Sequence, residues 1–167
     1  MKTYTIEETL QHAREGTKTA WNDAVYRGRT LLDEAVQGSD PKAAAAMLGR
    51  AVLHFQAAVA IDPDRDEGYG WLARAFRSLG QATRVRSEEG ATFYFRCACA
   101  IAWEGKHRTS GRKLSALTRE EAQTLLAWVH TNRRLDSKRA EVEMNMLRVE
   151  FLTSALDPDT IAFTQGG

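Results

Sequence analysis

Proline is scarce in this sequence, with three residues among 167, and each one lies beside an aspartate, at Pro41, Pro63 and Pro158. Proline interrupts helix interiors, and Asp-Pro pairs favour turns, so the long intervals between these points remain open to helix. No interval shows the sustained alternation of β-branched and aromatic residues that is typical of strands. The sequence therefore predicts an all-α protein.

Cysteine is scarcer still, with Cys97 and Cys99 as the only two. Both fall inside one predicted helix, where side chains two residues apart point about 200° away from each other. This geometry excludes a disulfide or a shared metal while the helix persists, and His107 nearby does not complete a four-ligand zinc site. We expect two small core thiols and neither a metal nor another cofactor.

The sequence also lacks a long uncharged apolar run and an excess of either charge. No such run approaches the roughly 18 residues of a spanning helix, and acidic residues stand where a signal peptide would be apolar. The net charge of +1 gives no overall attraction to nucleic acid or to membranes. We expect a cytoplasmic protein without membrane insertion.

Signatures of catalysis are missing as well. The sequence contains no nucleophile elbow, phosphate loop or dinucleotide fingerprint. Adjacent carboxylates at Glu7-Glu8, Glu88-Glu89 and Glu120-Glu121 fall mostly in first turns of predicted helices, where they complement the helix dipole. We predict that the protein is not an enzyme.

Local signals define where the helices begin and end. Thr5 with Glu8 predicts a capping box that opens the first helix, Gly16 is expected to break that helix in two, and Gly38 to end it in a left-handed conformation. Thr118 with Glu121 predicts a second capping box. Further helices are predicted over residues 41–61, 66–82, 88–104, 118–134 and 136–156.

The stretch from residue 51 to residue 80 alternates small and large apolar residues in a fixed order around the Asp62-Pro63 turn. This order resembles the tetratricopeptide repeat, whose stacked helix hairpins carry small residues where helices cross closely. The matching positions are Ala51, Phe55, Ala58 and Pro63, followed by Leu72, Ala73, Phe76, Leu79 and Gly80.

The resemblance implies one domain over residues 1–158, built as a short, irregular solenoid of about six to seven helices, with a loose tail over 159–167. Its hairpins would span about 17–61, 66–104 and 118–156. The next series of small and large apolar residues begins later in the sequence than a regular repeat would place it. This delay predicts an insertion over 81–90, either an extra helical turn or a longer loop.

The resemblance also implies a function, because such repeats bind a peptide or helix of a partner protein in a groove lined by the first helix of each hairpin. The chain would then act as an adaptor or as an accessory subunit of a larger complex. Two arginines one turn apart are expected to engage an acidic segment, and a solvated helix face is the alternative. The groove residues implied are Glu67, Arg74, Arg77 and Ser78, with Gly70 between them.

One interval, residues 106–139, is strongly basic, with nine basic residues against three acidic ones and a net charge of +6. Such a patch predicts either a nucleic-acid-associated accessory subunit or a basic edge that docks an acidic surface of a protein. The turn lacks the glycine of a helix-turn-helix, and no aromatic residues interleave with the charges. The residues predicted to form the basic patch are Lys106, Arg108, Arg112, Lys113, Arg133 and Arg134.

Overall fold

The computed structural model describes residues 5–109 and 115–135, and it confirms the all-α prediction, since these ranges contain helices and no strand. The helices are α1 (Ile6–Gln37), α2 (Pro41–Ile61), α3 (Asp66–Arg84), α4 (Glu88–Thr109) and α5 (Ala116–Leu135).

The described ranges hold five helices, where the sequence predicts six to seven. One reason is that α1 runs unbroken through Gly16, because a glycine costs a helix only about 0.5–1 kcal/mol relative to alanine. The helix predicted over 136–156 and the tail predicted over 159–167 lie outside the described residues.

Local capping explains the starts of α1 and α2. The Thr5 hydroxyl accepts a hydrogen bond from the backbone N–H of Glu8 at 3.1 Å, and the Glu8 carboxylate accepts one from the backbone N–H of Thr5 at 2.9 Å. This confirms the first capping box. Asp40 caps α2 by accepting from the backbone N–H of Lys42 at 3.0 Å.

Gly38 ends α1 as predicted, but its conformation is not the expected one. Its φ of −75° and ψ of 152° are extended rather than left-handed. Any residue can adopt this backbone, so the end of α1 does not require glycine there.

The helices pack as two neighbouring pairs, α1 with α2 and α3 with α4, joined through an α2–α3 contact, and α5 packs against α3 and α4. Phe55 of α2 lies at the centre of the first core cluster, fully buried among residues of α1 and α3. Helix α1 approaches it at Gly28, where a Cβ atom would lie 2.5 Å from Cε1 of Phe55. Glycine is therefore required for this crossing.

A second cluster continues the core along the same helices through Leu32, Leu48 and Leu79. Of the positions on which the repeat resemblance rests, Phe76 is half-buried and the other helical ones are fully buried. The fully buried ones are Ala51, Phe55, Ala58, Leu72, Ala73, Leu79 and Gly80.

Residues 81–90, where the sequence predicts an insertion, are mostly helical, and the insertion itself stays a prediction. Helix α3 continues to Arg84, residues 85–87 form a turn, and α4 begins at Glu88. The Ser87 hydroxyl accepts a hydrogen bond from the backbone N–H of Gly90 at 3.0 Å, which supports the first turn of α4.

By length and hydropathy alone, α2 (Pro41–Ile61) is apolar enough to cross a membrane. It is the one such helix in the part of the chain that the structure describes. The same test is passed by core helices of soluble proteins, and α2 packs between α1 and α3.

Candidate partner-binding cleft

An open cleft of about 510 Å³ lies between α1 and α3, with α5 at one side. The α1 wall carries one arginine, one carboxylate, one amide and two aliphatic side chains, and the α3 wall carries an indole, two arginines, one hydroxyl and one amide. The lining residues are Arg29, Leu32, Asp33, Val36 and Gln37 from α1, Trp71, Arg74, Arg77, Ser78 and Gln81 from α3, and Glu120 from α5.

Helical spacing explains why these residues share a cleft. On α1 they recur at intervals of three and four from Arg29 to Val36, and on α3 in the same way from Trp71 to Gln81. Residues so spaced form one stripe along a helix. The cleft is therefore the gap between two such stripes, just outside the buried core.

Trp71 joins the cleft to the core. One face of its ring stacks on Phe55, with ring centroids 5.9 Å apart and planes 15° from parallel. The guanidinium of Arg29 lies 4.7 Å from the indole centroid and that of Arg74 lies 5.3 Å from it, both within cation–π range. The ring is therefore fixed in place with arginines around it.

Arg74 and Arg77 converge on one carboxylate, that of Glu121 in α5. The Arg74 Nε donates to Glu121 Oε1 at 2.5 Å, and Arg77 donates from Nε to Oε2 at 2.8 Å and from Nη2 to Oε1 at 3.1 Å. The Glu121 side chain is 1% exposed, against 23% and 18% for the two arginines. A buried carboxylate is thus neutralised by two guanidinium groups that still reach the cleft.

A second polar cluster holds the start of α5 on α3. The Asp66 carboxylate accepts hydrogen bonds from the Ser115 hydroxyl at 2.6 Å, the Ser115 backbone N–H at 2.9 Å and the Thr118 hydroxyl at 2.8 Å. Thr118 lies against Gly70, where a Cβ would be 2.8 Å from its hydroxyl oxygen. Helix α5 can therefore seat directly on the backbone of α3.

These contacts correct the prediction for Thr118 and Glu121. Helix α5 begins at Ala116, two residues earlier than expected, so Thr118 is not its N-cap. Both side chains form tertiary contacts instead, with Asp66 and with the arginine pair. Sequence alone does not separate the two cases, because a capping box and a long-range contact use the same residue types.

The structure brings together part of the predicted groove set. Arg74, Arg77 and Ser78 line the cleft, whereas the Glu67 carboxylate lies 3.6 Å from Arg65 and Gly70 is buried. Binding of a partner by these residues stays a prediction. Sequence reasoning missed the α1 wall and Trp71, although its spacing of three from Arg74 was a usable signal.

The basic patch lies outside what the structure describes: Arg112 and Lys113 fall between the described ranges, and for the other four only the helical backbone is described. Its role, with nucleic acid or with protein, stays a prediction.

Both cysteines are free thiols, Cys99 buried and Cys97 half-buried. Burial raises the pKa of Cys99 from 9.0 to about 12, with the neighbouring Cys97 adding to the shift, and burial also raises the pKa of Cys97. Both raised pKa values keep these thiols protonated at neutral pH, which slows their reaction as nucleophiles. Within the described ranges, no three His, Cys, Asp or Glu side chains group as a metal site would require.

Comparison with known proteins identifies no relative. The sequence matches no protein-family model, no curated protein and no solved structure. The tetratricopeptide resemblance therefore rests on the residue pattern alone.

Proposed function

We propose that this chain is a non-enzymatic protein-interaction module, an adaptor or accessory subunit that holds a segment of a partner protein in the α1–α3 cleft. The observation that carries the proposal is the cleft itself, an open volume of about 510 Å³ lined by two helices around a fixed indole. Its lining combines Leu32, Val36 and Trp71 with eight polar or charged side chains, so a protein segment can find both apolar contacts and hydrogen bonds there.

The proposal includes an irregular tetratricopeptide-like stacking of the helices. Its support is the burial of Ala51, Phe55, Ala58 and Leu72 at helix crossings, together with residues from α1, α3 and α5 around one cleft. In this arrangement the first helix of each hairpin faces the partner. Helix α5 would be the first helix of the third hairpin.

The arginine–glutamate cluster refines the expected partner chemistry. Because Glu121 already neutralises much of the charge of Arg74 and Arg77, an acidic segment gains less from them than two unpaired arginines would offer. Val36 and Trp71 offer apolar contact, and Arg29 and Gln81 offer hydrogen bonds. We therefore propose a helix or extended segment that buries an apolar side chain against Trp71 and directs a carboxylate or carbonyl oxygen toward Arg29.

The variants used to test this proposal must leave the ion cluster of Arg74, Arg77 and Glu121 intact. Reversing the charge of Arg74 and Arg77 would bury Glu121 beside two new carboxylates and unfold this region, so loss of binding would mean little. Val36, which is 69% exposed, and Gln81, which is also exposed, line the cleft outside the cluster. A V36E/Q81E double variant changes the binding surface alone.

Tagged protein is expressed in the source organism, and co-purifying proteins are quantified by mass spectrometry. We expect a partner recovered with the native chain to fall at least tenfold with V36E/Q81E. An L53E variant, altered at a 65% exposed leucine of α2 outside the cleft, should retain it. Equal recovery with V36E/Q81E and the native chain would contradict the cleft assignment.

A further inference from the structure

Half of α1 extends beyond the packed helices. Helix α1 has 32 residues and its neighbour α2 has 21. Within α1 every residue from 6 to 20 is exposed, and burial begins at Trp21. Among the exposed residues are two large aliphatic ones, Ile6 at 81% and Leu10 at 50%.

The exposed half continues the apolar stripe of the buried half. Ile6, Leu10, Ala13 and Thr17 follow one another at intervals of four, three and four, and the same stripe then enters the core at Trp21. This is the spacing of a helix–helix seam. An isolated helix of about 12–15 residues is marginal in water, so a partner along this seam would stabilise it.

Charges beside the seam select the partner and its direction. Glu7 and Arg14 flank the same edge of the seam, one heptad apart. When two copies of this segment lie antiparallel, with Leu10 of each opposite Ala13 of the other, Glu7 of one copy comes beside Arg14 of the other, and the pair occurs twice. In a parallel, in-register arrangement Glu7 and Arg14 of the two copies would lie a heptad apart along the axis and on opposite sides, so this pair would not form.

We propose that the exposed half of α1, residues 6–20, pairs antiparallel with the same segment of a second copy of this chain, forming a dimer with twofold symmetry. The proposal goes beyond the partner-binding cleft and does not depend on it. A contact about 15 residues long spans only about 22 Å of helix. An interface of this size lies at the small end of specific contacts, so the dimer should dissociate on dilution.

Sedimentation equilibrium of the full chain over a dilution series measures this association. We expect a mass approaching twice the 18.6 kDa of the chain at high concentration, falling toward 18.6 kDa on dilution. L10K should weaken association at least tenfold, and L53K, a matched change at an exposed leucine of α2, should leave it unchanged. A native chain that stays at 18.6 kDa throughout would overturn the proposal.

A charge exchange tests the antiparallel register. E7R carries only arginine at positions 7 and 14, and R14E carries only glutamate there, so each should remain monomeric alone. Mixed in equal amounts, they should form a heterodimer with two restored pairs per interface. Unchanged circular dichroism of each variant shows that it is folded, and dimers of each variant alone, or no heterodimer on mixing, would refute this pairing.

Discussion

Two glycines of α1 have opposite environments. Gly28 faces the ring of Phe55, which is fully buried and cannot move away, whereas a Cβ at Gly16 would meet no atom within 4 Å. Alanine favours a helix by about 0.5–1 kcal/mol over glycine at either position. The difference between the two substitutions therefore reports packing alone.

We predict that Gly28→Ala lowers the free energy of unfolding by about 1–3 kcal/mol, because overpacking exceeds the gain in helix propensity. Gly16→Ala should leave it unchanged or raise it slightly. Urea unfolding followed by circular dichroism compares the two. Equal effects of both substitutions would show that α1 does not approach Phe55 at Gly28.

Glu120 and Glu121 are adjacent and differ in burial. Glu121→Gln keeps the shape of the side chain but leaves two arginines beside a neutral amide, and we expect it to lower the free energy of unfolding by about 2–3 kcal/mol. The Glu120 side chain is 68% exposed, with a single contact to Arg74 at 3.4 Å. Glu120→Gln should therefore cost less than about 0.5 kcal/mol.

Chemical denaturation of the two variants at neutral pH measures this difference. If both lose the same stability, the carboxylate of Glu121 is not the one that Arg74 and Arg77 hold.

The two cysteines should differ in reactivity because they differ in burial. With the pKa of Cys99 raised to about 12, almost none of it is thiolate at pH 8, and Cys97, whose pKa is raised while it stays half-buried, should react first. Iodoacetamide labelling read by peptide mass spectrometry gives both rates. Both should be slow in buffer and become fast in urea, and rapid labelling of Cys99 in the folded chain would contradict its burial.

At the scale of helices, the sequence predicts most boundaries because their signals are local. The side chains of Thr5, Glu8 and Asp40 each lie within three residues of the backbone amide that they cap. The Asp62-Pro63 turn likewise separates α2 from α3. Such signals act within one helical turn and can be read without knowledge of the fold.

The predictions that fail are those in which a side chain can contact a residue far away in the chain instead of a neighbouring backbone amide. Thr118 and Glu121 carry the sequence of a capping box, yet their partners lie 44 to 52 residues away in the chain. Sequence spacing cannot show that Asp66 and the two arginines of α3 will lie beside α5. The prediction of a break at Gly16 fails for a different reason, since one glycine is too weak a breaker to end a long helix.

At the scale of the molecule, the alternation of small and large residues predicts the stacking of α2 on α3, because close crossings need small residues on both helices. The cleft was only half predictable. Its α3 wall follows from the positions between the packing residues, but its α1 wall depends on how α1 is rotated about its axis. That rotation is set in part by the close approach of Gly28 to Phe55 of α2, and no local sequence pattern indicates this approach.

The cleft and the projecting half of α1 are two separate surfaces of the molecule. One surface is formed by α1 and α3 together, and the other by α1 alone. A dimer through residues 6–20 would leave the cleft open, because its lining begins at Arg29. Two partners could then be held by one dimer, as an adaptor requires.

Site-specific photo-cross-linking shows which surface of the molecule contacts the partner. A photoreactive benzoylphenylalanine replaces Gln81 in the cleft or Leu53 on the outer side of α2, and the full chain is irradiated in cells of its source organism. We expect the Gln81 position to form a covalent adduct with a defined protein and the Leu53 position to form none. An adduct with the same protein from Leu53, and none from Gln81, would contradict the cleft as the binding surface.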